Sequence, residues 1–523
     1  MRKFLAGVFG IFWGILLVIG RQLENSSEIK WDVFTILKIL VVSGIVGVLM
    51  NLWLGRKKES GKGKIGKRLE EWGEKVGKME ELKIMGILVI PLVVVWLVAF
   101  PGVFGYDTIF QLRRWTSGVY DTHYPIPFIW LMGGFISLGE TIFQSREIGY
   151  AGLILLQILA VALVEAKGLK YFYERTKNGK VIFILMIFFM THLPLLVLSV
   201  SGCHDVLFGV FFAGFLLGIT KWVNEERVNI LLMILLGFLM GIFRSNGLFA
   251  MMPMVVIGVI ILRGRRGEFL GIMSLIIGSI MIFNGPILDR MGVKKLSLWH
   301  ESMNLPVMQM TRSYVMNRGI WTEKERKAFE NFYPKCDFEY YRKDQGISDN
   351  FKKCANDKYM ADNFGDYLGL WMRIGMKDFQ NYAEAMGLLD LGVYYPWKKY
   401  PDTRIYHPWA EWKWTKDEQN GMEIRHLSGD NILSKIIGKM TQGGWFSRIP
   451  ILRVLWGGGI LLVIFTMILT EVIYRKKWKQ LVGMSLVAGL LVTIVLAPVI
   501  IFRYMVPVVL VMPIIWIERW SVK

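Results

Sequence analysis

The sequence predicts an all-α protein that crosses a membrane many times, with about twelve transmembrane helices. Hydrophobic residues make up 54% of the 523 residues. They fall in repeated runs of roughly 16 to 24 residues, the length that an α-helix needs to cross a bilayer. The Lys and Arg residues, which give a net charge of +20, cluster in short segments between these runs. Such clusters are typical of cytoplasmic loops, so the charge does not indicate a nucleic-acid partner.

Composition divides the chain into five parts. They are an N-terminal transmembrane pair at 1–54, a basic amphipathic cytoplasmic segment at 55–83, a transmembrane core at 84–285, an external soluble domain at 286–449 and C-terminal transmembrane helices at 450–523. Residues 101–147 form the first external loop of the core. The apolar run 125–143 contains two prolines and two adjacent glycines. If it lies on the outer surface as a juxtamembrane helix, every basic cluster falls inside, and both termini are cytoplasmic.

The external domain is predicted to be mostly helical. Thr322 and Glu325 have the spacing of a capping box that starts a helix. Cys336 and Cys354 both lie in this polar region and are able to form one disulfide, a pairing that the sequence leaves open. The aromatic residues of 394–414 suit either sugar rings or the lipid interface.

Ionisable residues stand where predicted apolar helices end. Asp107 and His123 follow the helix that ends at Phe100, and His204 and Asp205 follow the next outward helix. A charged group at the bilayer boundary costs free energy unless it faces water or a partner. The sequence therefore predicts a functional site on the outer face.

Two arginines are predicted to join this face. Arg503 lies within an apolar stretch and must be paired or solvated, and Arg244 follows a third outward helix. Simpler explanations stay open at this stage. Asp107 and Thr108 would also suit the start of a short surface helix, and Arg244 alone would suit a side chain that reaches up to the headgroups.

An ordered set of short motifs runs through about residues 84 to 520. In chain order the motifs are Pro101-Gly102 before Tyr106-Asp107-Thr108 and Gln111, then His123-Tyr124-Pro125, Asp205-Val206-Leu207-Phe208, Arg244-Ser245-Asn246-Gly247, Glu301-Ser302 with Arg312, and Arg503-Tyr504 with Pro507. This set resembles the GT-C superfamily of integral-membrane glycosyltransferases, in particular a Gram-positive bacterial branch. The chain departs from the pattern at His204, where the family has Lys, and at Ser245, where it has Asn.

The resemblance implies a GT-C-like fold in a bacterial plasma membrane. It also implies an enzyme that transfers a sugar, with inversion, from a polyprenyl-phosphate donor to a cell-envelope saccharide, lipid or protein. The catalytic residues would be Asp107 as the general base, His123 and Asp205. The substrate-binding residues would be Tyr106, Thr108, Gln111, His204, Arg244, Asn246, Glu301, Arg312, Arg503 and Tyr504. Members of the superfamily differ in metal use, so a divalent cation (Mg or Mn) held by Asp107, His123 and Asp205 stays open.

Two other functions fit the same sequence. A transporter or flippase of lipid-linked saccharides would also need a basic groove, although the two halves of the chain lack a matching pair of broken helices. A non-catalytic envelope scaffold would bind polymer through the external domain. The scaffold alone predicts that Asp107→Asn has no effect.

Overall fold

The computed structural model describes residues 1–56, 64–105, 107–296, 299–344, 346–399, 410–411, 424–425, 427, 432–442 and 448–520. The fold is almost entirely helical, which confirms the predicted all-α class. In the first half of the chain the helices are α1 (Arg2–Ser26), α2 (Val33–Gly55), α3 (Lys64–Lys78), α4 (Glu81–Val98), α5 (Thr108–Ser117), α6 (Ile126–Phe143), α7 (Arg146–Thr176), α8 (Gly179–Thr191), α9 (Leu193–Ser199), α10 (His204–Val223), α11 (Ile230–Phe243), α12 (Ser245–Ile261) and α13 (Arg266–Ile282).

The second half contains shorter helices before the final apolar ones. They are α14 (Leu288–Arg290), α15 (Trp299–Ser302), α16 (Asn304–Met316), α17 (Glu323–Phe332), α18 (Asp349–Lys352), α19 (Asp357–Asp362), α20 (Phe364–Lys377), α21 (Phe379–Leu389), α22 (Leu391–Tyr394), α23 (Ile432–Gln442), α24 (Pro450–Leu455), α25 (Gly458–Tyr474), α26 (Leu481–Val495), α27 (Val506–Leu510) and α28 (Met512–Trp520). Strand β1 (Phe104–Gly105) pairs antiparallel with β2 (Ala410–Glu411).

Within the described residues, eight helical segments are long and apolar enough to cross a membrane. The pair α8 and α9, bent by 57°, would add a ninth as one span, and α11, α12 and α25 are shorter apolar helices. Helix α2 turns many large apolar side chains outward, including Phe34, Leu40 and Val48. An apolar surface of this extent is stable against lipid rather than water. The chain is therefore a multi-pass helical membrane protein.

Helix α6 lies across one end of the bundle. Near its start, the Phe128 ring is 6.0 Å from the His204 ring, where α10 begins, and 6.4 Å from the Phe243 ring, where α11 ends. Near its other end, Gly139 packs closely on Gly149, in the first turn of α7. Both ends of α6 thus lie at one end of the bundle, which we call the site end and which contains the starts of α7, α10 and α12. Helix α6 is also one of the eight segments long and apolar enough to cross a membrane, so its juxtamembrane position stays a prediction.

The amphipathic helix α3 lies at the opposite end. The Glu70 carboxylate accepts hydrogen bonds of 2.9 and 3.1 Å from the amides of Gly179 and Lys180, at the start of α8. The Lys170 ammonium donates to the carbonyl oxygens of Gly77 and Met79. The predicted helix in segment 55–83 is confirmed, while residues 57–63 of that segment lie outside the described part.

Helices α15 to α21 form a polar unit with its own core at the site end, and α22 follows them and packs on α1 and α25. The buried aromatic side chains of the polar unit include Tyr314, Trp321, Phe329 and Tyr367. The predicted capping box starts α17: the Glu325 amide donates to the Thr322 hydroxyl, and the Glu325 carboxylate accepts from the Thr322 amide. Cys336 and Cys354 form a disulfide.

This polar unit is tied to the loop between α1 and α2. The Arg312 guanidinium donates to the Ser27 carbonyl oxygen (2.7 Å) and pairs with Glu384 (2.5 Å). Glu384 in turn accepts from the Ile29 amide (2.7 Å). A second tie joins the Ser348 amide to the Pro498 carbonyl oxygen, 2.9 Å away and just before the segment with Arg503. The α1–α2 loop and the polar unit therefore share the site end.

Candidate functional site

Two loops are joined at the centre of the site end. The Val103 amide donates to the Val200 carbonyl oxygen (2.9 Å), and the Gly202 amide donates to the Val103 carbonyl oxygen (3.0 Å). The buried Tyr150 hydroxyl donates to the Val103 carbonyl (2.7 Å) and accepts from the Gly202 amide (2.9 Å). These bonds place Asp107, at the start of α5, beside the start of α10.

Four charged side chains meet there and form what we call the ion cluster: Asp107, Asp205, Arg244 and Arg503. Arg503 lies between the two acids. Its Nη1 is 2.7 Å from Asp107 Oδ2, and its Nε is 3.2 Å from Asp205 Oδ2, a contact without hydrogen-bond alignment. Arg244 pairs with the other oxygen of Asp205. The four formal charges cancel, so the cluster is neutral as it stands.

The ion cluster is shielded, although two of its side chains are partly exposed. The Asp205 and Arg503 side chains are 1% and 9% exposed, whereas those of Asp107 and Arg244 are 14% and 18% exposed. Interactions between charges are stronger in such a site than in water because the local dielectric constant is lower. The two more exposed groups, one acid and one arginine, are the pair that a ligand would reach first.

Neighbouring side chains hold the two arginines in place. The Tyr504 ring lies 4.2 Å from the Arg244 guanidinium and 5.4 Å from that of Arg503. Asn246 accepts from Arg244 Nε (3.3 Å) and donates to the Thr493 hydroxyl (2.8 Å), which links α12 to α26. Guanidinium groups favour the face of an aromatic ring, so the Tyr504 ring stabilises both cations where they lie. The structure therefore brings Asn246 and Tyr504 to the predicted site.

The simpler explanations for Asp107 and Arg244 do not describe this structure. Asp107 precedes α5, but its side chain makes no capping hydrogen bond to that helix. Its carboxylate faces Arg503 instead. Arg244 is paired with Asp205 rather than extended toward the headgroups. The requirement that Arg503 be paired or solvated is confirmed.

Thr108, Gln111 and His204 form a buried polar group beside the ion cluster. The Thr108 hydroxyl donates to the Gly202 carbonyl oxygen (2.5 Å), and Gln111 Nε2 lies 2.9 Å from His204 Nδ1. When Gln111 donates to Nδ1, the proton of the neutral imidazole is on Nε2, which lies 3.6 Å from Asp205 Oδ1. His204 thus lies close to Asp205 as a neutral imidazole rather than as the cation expected of a Lys.

His123 lies outside the ion cluster. Its side chain is exposed, its ring packs edge-on against Tyr124, and its amide donates to Asp121 (3.0 Å). Asp121 is paired with Arg114 (2.8 Å). The described residues contain no group of three or more His, Cys, Asp or Glu side chains placed to hold a metal ion.

The predicted trio for Mg or Mn is therefore not assembled in this structure. The physical reason is that the carboxylates of Asp107 and Asp205 face arginines, while His123 lies on the polar loop between α5 and α6. The resemblance had left metal use open, and the requirement for a cation stays a prediction.

Glu301 is engaged within the polar unit. Its carboxylate pairs with Lys352 (2.6 Å) and lies 3.5 Å from His300 Nε2, while His300 Nδ1 contacts Asp357 (2.7 Å). Burial raises the pKa of Glu301, but hydrogen bonds from His300 and Lys352 outweigh it and lower the pKa to about 2. The hydrogen bond with Glu301 likewise raises the pKa of His300.

The remaining predicted residues lie elsewhere. Arg312 is fully buried, and protein groups already accept from its guanidinium, as described for the α1–α2 loop. The structure does not bring Arg312 to the ion cluster, so substrate binding by it and by Glu301 stays a prediction. Tyr106 and most of the aromatic segment 394–414 lie outside the described residues.

Sequence reasoning missed two residues of α7 that position the site. Gln157 is fully buried and donates to the carbonyl oxygens of Ser201 (2.7 Å) and Ser199 (2.9 Å). Tyr150, seven residues earlier and so on the same helix face, binds the two joined loops. A Gln and a Tyr two turns apart in an otherwise apolar helix are a signal that this face contacts polar backbone.

Comparison with known proteins gives a match to part of the chain. Residues 356–523 match a family of unknown function, DUF6020. The matched part contains Arg503 and Tyr504 but not Asp107, Asp205 or Arg244. No curated protein and no solved structure matches the chain.

Proposed function

We propose that the chain is a GT-C-type glycosyltransferase that moves a sugar from a polyprenyl-phosphate donor to a cell-envelope acceptor. The observation that carries this proposal is Arg503 between Asp107 and Asp205, with Arg244 on the far side of Asp205. Guanidinium groups bind phosphate through a planar set of donors, and a carboxylate is able to act as a general base. Four segments that are distant in the sequence bring both kinds of group to one partly shielded place.

The neutral charge of the ion cluster suggests how a donor would bind. An anionic phosphate that enters beside Arg503 competes with Asp107, the more exposed of its two carboxylate partners. If the phosphate takes the place of Asp107, Arg503 and Arg244 hold the leaving group and Asp107 is released. Donor binding would then precede activation of the acceptor.

In the transfer step, the released Asp107 carboxylate takes the proton of an acceptor hydroxyl. The hydroxyl oxygen forms a bond to the anomeric carbon as the bond from that carbon to the phosphate oxygen breaks. The electron pair of the broken bond leaves with polyprenyl phosphate, whose charge the two arginines stabilise. Attack opposite the leaving phosphate inverts the anomeric configuration.

The proposed topology has twelve spans and both termini in the cytoplasm of a bacterium. Of the eight long helices, α6 is left out of this count. The bent pair α8 and α9, the three shorter apolar helices, and the pair α27 and α28 add five spans to the remaining seven. The disulfide between Cys336 and Cys354 supports an external polar unit because disulfides persist in oxidising compartments. The basic helix α3, at the opposite end, supports a cytoplasmic position for that end.

The test is transfer of labelled sugar from a panel of polyprenyl-phosphate sugars by the purified protein in nanodiscs. Wild type is compared with Asp107→Asn and with Asp121→Asn. Asp121 is a matched control because it is an acid of the same loop that pairs with Arg114 outside the ion cluster. We expect product from wild type and Asp121→Asn, and none from Asp107→Asn.

Other outcomes would overturn parts of the proposal. Equal product from Asp107→Asn would keep the enzyme and remove Asp107 as the base. An absence of product with every donor and acceptor offered would overturn the glycosyltransferase. The next assay would then be translocation of lipid-linked saccharides in liposomes, which the transporter hypothesis predicts.

A further inference from the structure

The polar unit carries an exposed apolar surface where α20 meets α21. Met372 and Met376, one turn apart on α20, lie on the same face of that helix, and Phe379 begins α21 directly after it. The Met376 and Phe379 side chains are 80% and 75% exposed, so nothing in the described part of the chain covers them. In a domain rich in charged residues, this surface needs a partner. We call it the α20–α21 corner.

The α20–α21 corner is continuous with the lipid-facing surface of α2. Gln380, the residue after Phe379, donates to the Ile29 carbonyl oxygen (3.0 Å). The chain from Ile29 leads within four residues into α2, whose first residues, Val33 and Phe34, are about 70% exposed. The corner therefore lies beside the point where a lipid-exposed helix leaves the bilayer.

The side chains around Ile29 indicate the level of the lipid headgroups. Trp31 is 57% exposed, and Trp is enriched at the membrane–water interface. Lys38, also exposed, is in the second turn of α2, from where its long side chain is able to reach back to the headgroups. Arg373 adds an exposed cation beside Met372. This arrangement of apolar and basic groups is typical of elements that lie in the interfacial layer.

We propose that the α20–α21 corner rests in the interfacial layer of the bilayer at the site end. Its partner is the lipid surface, with apolar side chains among the upper acyl chains and Arg373 near the phosphates. The corner anchors the polar unit at the site end, independently of whether the ion cluster transfers a sugar. A peripheral contact of this kind adds to the ties that the polar unit already has to the α1–α2 loop and to helix α1, on which α21 and α22 pack.

Spin labels on introduced cysteines test this position. The native cysteines do not compete, because Cys203 is buried and the other two form the disulfide. Met376→Cys and Phe379→Cys are labelled in the full-length protein in nanodiscs of phosphatidylcholine and phosphatidylglycerol. The label's collisions with apolar oxygen and with a water-soluble nickel chelate are then compared.

Two further positions calibrate the measurement. Phe34→Cys on α2 gives the value for lipid, and Lys327→Cys on the charged surface of α17 gives the value for water. We expect the labels at 376 and 379 to collide more with oxygen than with the nickel chelate, as at 34, and the reverse at 327. Values at 376 and 379 equal to those at 327 would overturn the proposal. So would dipolar broadening between two copies, which would show that a second chain covers the corner.

Discussion

Asp205 contacts two arginines and Asp107 contacts one, so the removal of each negative charge should have a different cost. Asp205→Asn keeps the size of the side chain but leaves Asp107 as the one acid of the ion cluster, and Asp107 pairs with Arg503 and not with Arg244. Breaking a buried ion pair by removing one partner costs about 3–5 kcal/mol. In Asp107→Asn, Arg503 keeps Asp205, and the loss is closer to that of one charged hydrogen bond, about 1.5–3 kcal/mol.

The assay is thermal unfolding of both variants in the same detergent, followed by intrinsic Trp fluorescence. Asp121→Asn serves again as the control, because its bridge lies outside the ion cluster and Arg114 keeps its hydrogen bond to the Phe110 carbonyl oxygen and its contact with the Tyr124 ring. We expect the midpoint to fall most for Asp205→Asn, less for Asp107→Asn and least for the control. A midpoint for Asp205→Asn at or above that of Asp107→Asn would refute the central place of Asp205.

Donor-lipid affinity is a second measurement on the same two variants. For Asp107→Asn we expect the affinity to rise although the stability falls. Asp107→Asn removes the group that competes with phosphate for Arg503, so donor affinity should rise, by about tenfold for each 1.4 kcal/mol of competition removed. Asp205→Asn should not show a clean rise, because it also disturbs the position of both arginines. Weaker donor binding by Asp107→Asn would contradict the proposed exchange of Asp107 for phosphate.

Three further predictions concern the supports of the site. Gly202→Ala should abolish transfer, since a Cβ there would meet the Tyr150 hydroxyl that joins the two loops; full activity of this variant would contradict the arrangement. The stabilising contribution of His300, whose pKa is raised, should be complete below about pH 6.5 and lost as the pH rises through its folded-state value. A thermal midpoint that depends on pH in this direction in wild type but not in His300→Asn would confirm it. Cys336→Ser should lower the stability of the polar unit by about 3 kcal/mol for a loop of this length, measured by limited proteolysis against wild type.

The fold class could be predicted because the bilayer imposes a simple rule on sequence. Long apolar runs, basic clusters between them and one polar insertion were enough to predict a multi-pass helical protein with a separate polar unit. The short helices of the polar unit could not be predicted in detail, because a water-soluble core allows many arrangements of the same aromatic residues.

The ion cluster could be predicted for a related reason. A charge inside an apolar helix is costly, so Asp205 and Arg503 had to have partners, and other charged ends of helices were the available ones. The free-energy cost that makes charged residues rare in apolar helices also limits the positions that they are able to take in the fold. The position of these residues in the sequence therefore contains information about their contacts in space.

A charged residue in a polar loop is exposed to water and needs no partner. The sequence therefore predicted the contacts of loop residues less well. His123 costs little on an exposed loop, so its presence two residues from Asp121 did not require a contact with Asp107. Arg312 lies in a domain where acids are plentiful, and it is held by Glu384, 72 residues away in the chain. For both residues the resemblance implied a role at the site, but neither the charge nor the burial cost of the side chain required a position there. Predicted sites in membrane proteins of this kind therefore deserve most weight at residues whose charge the bilayer would otherwise penalise.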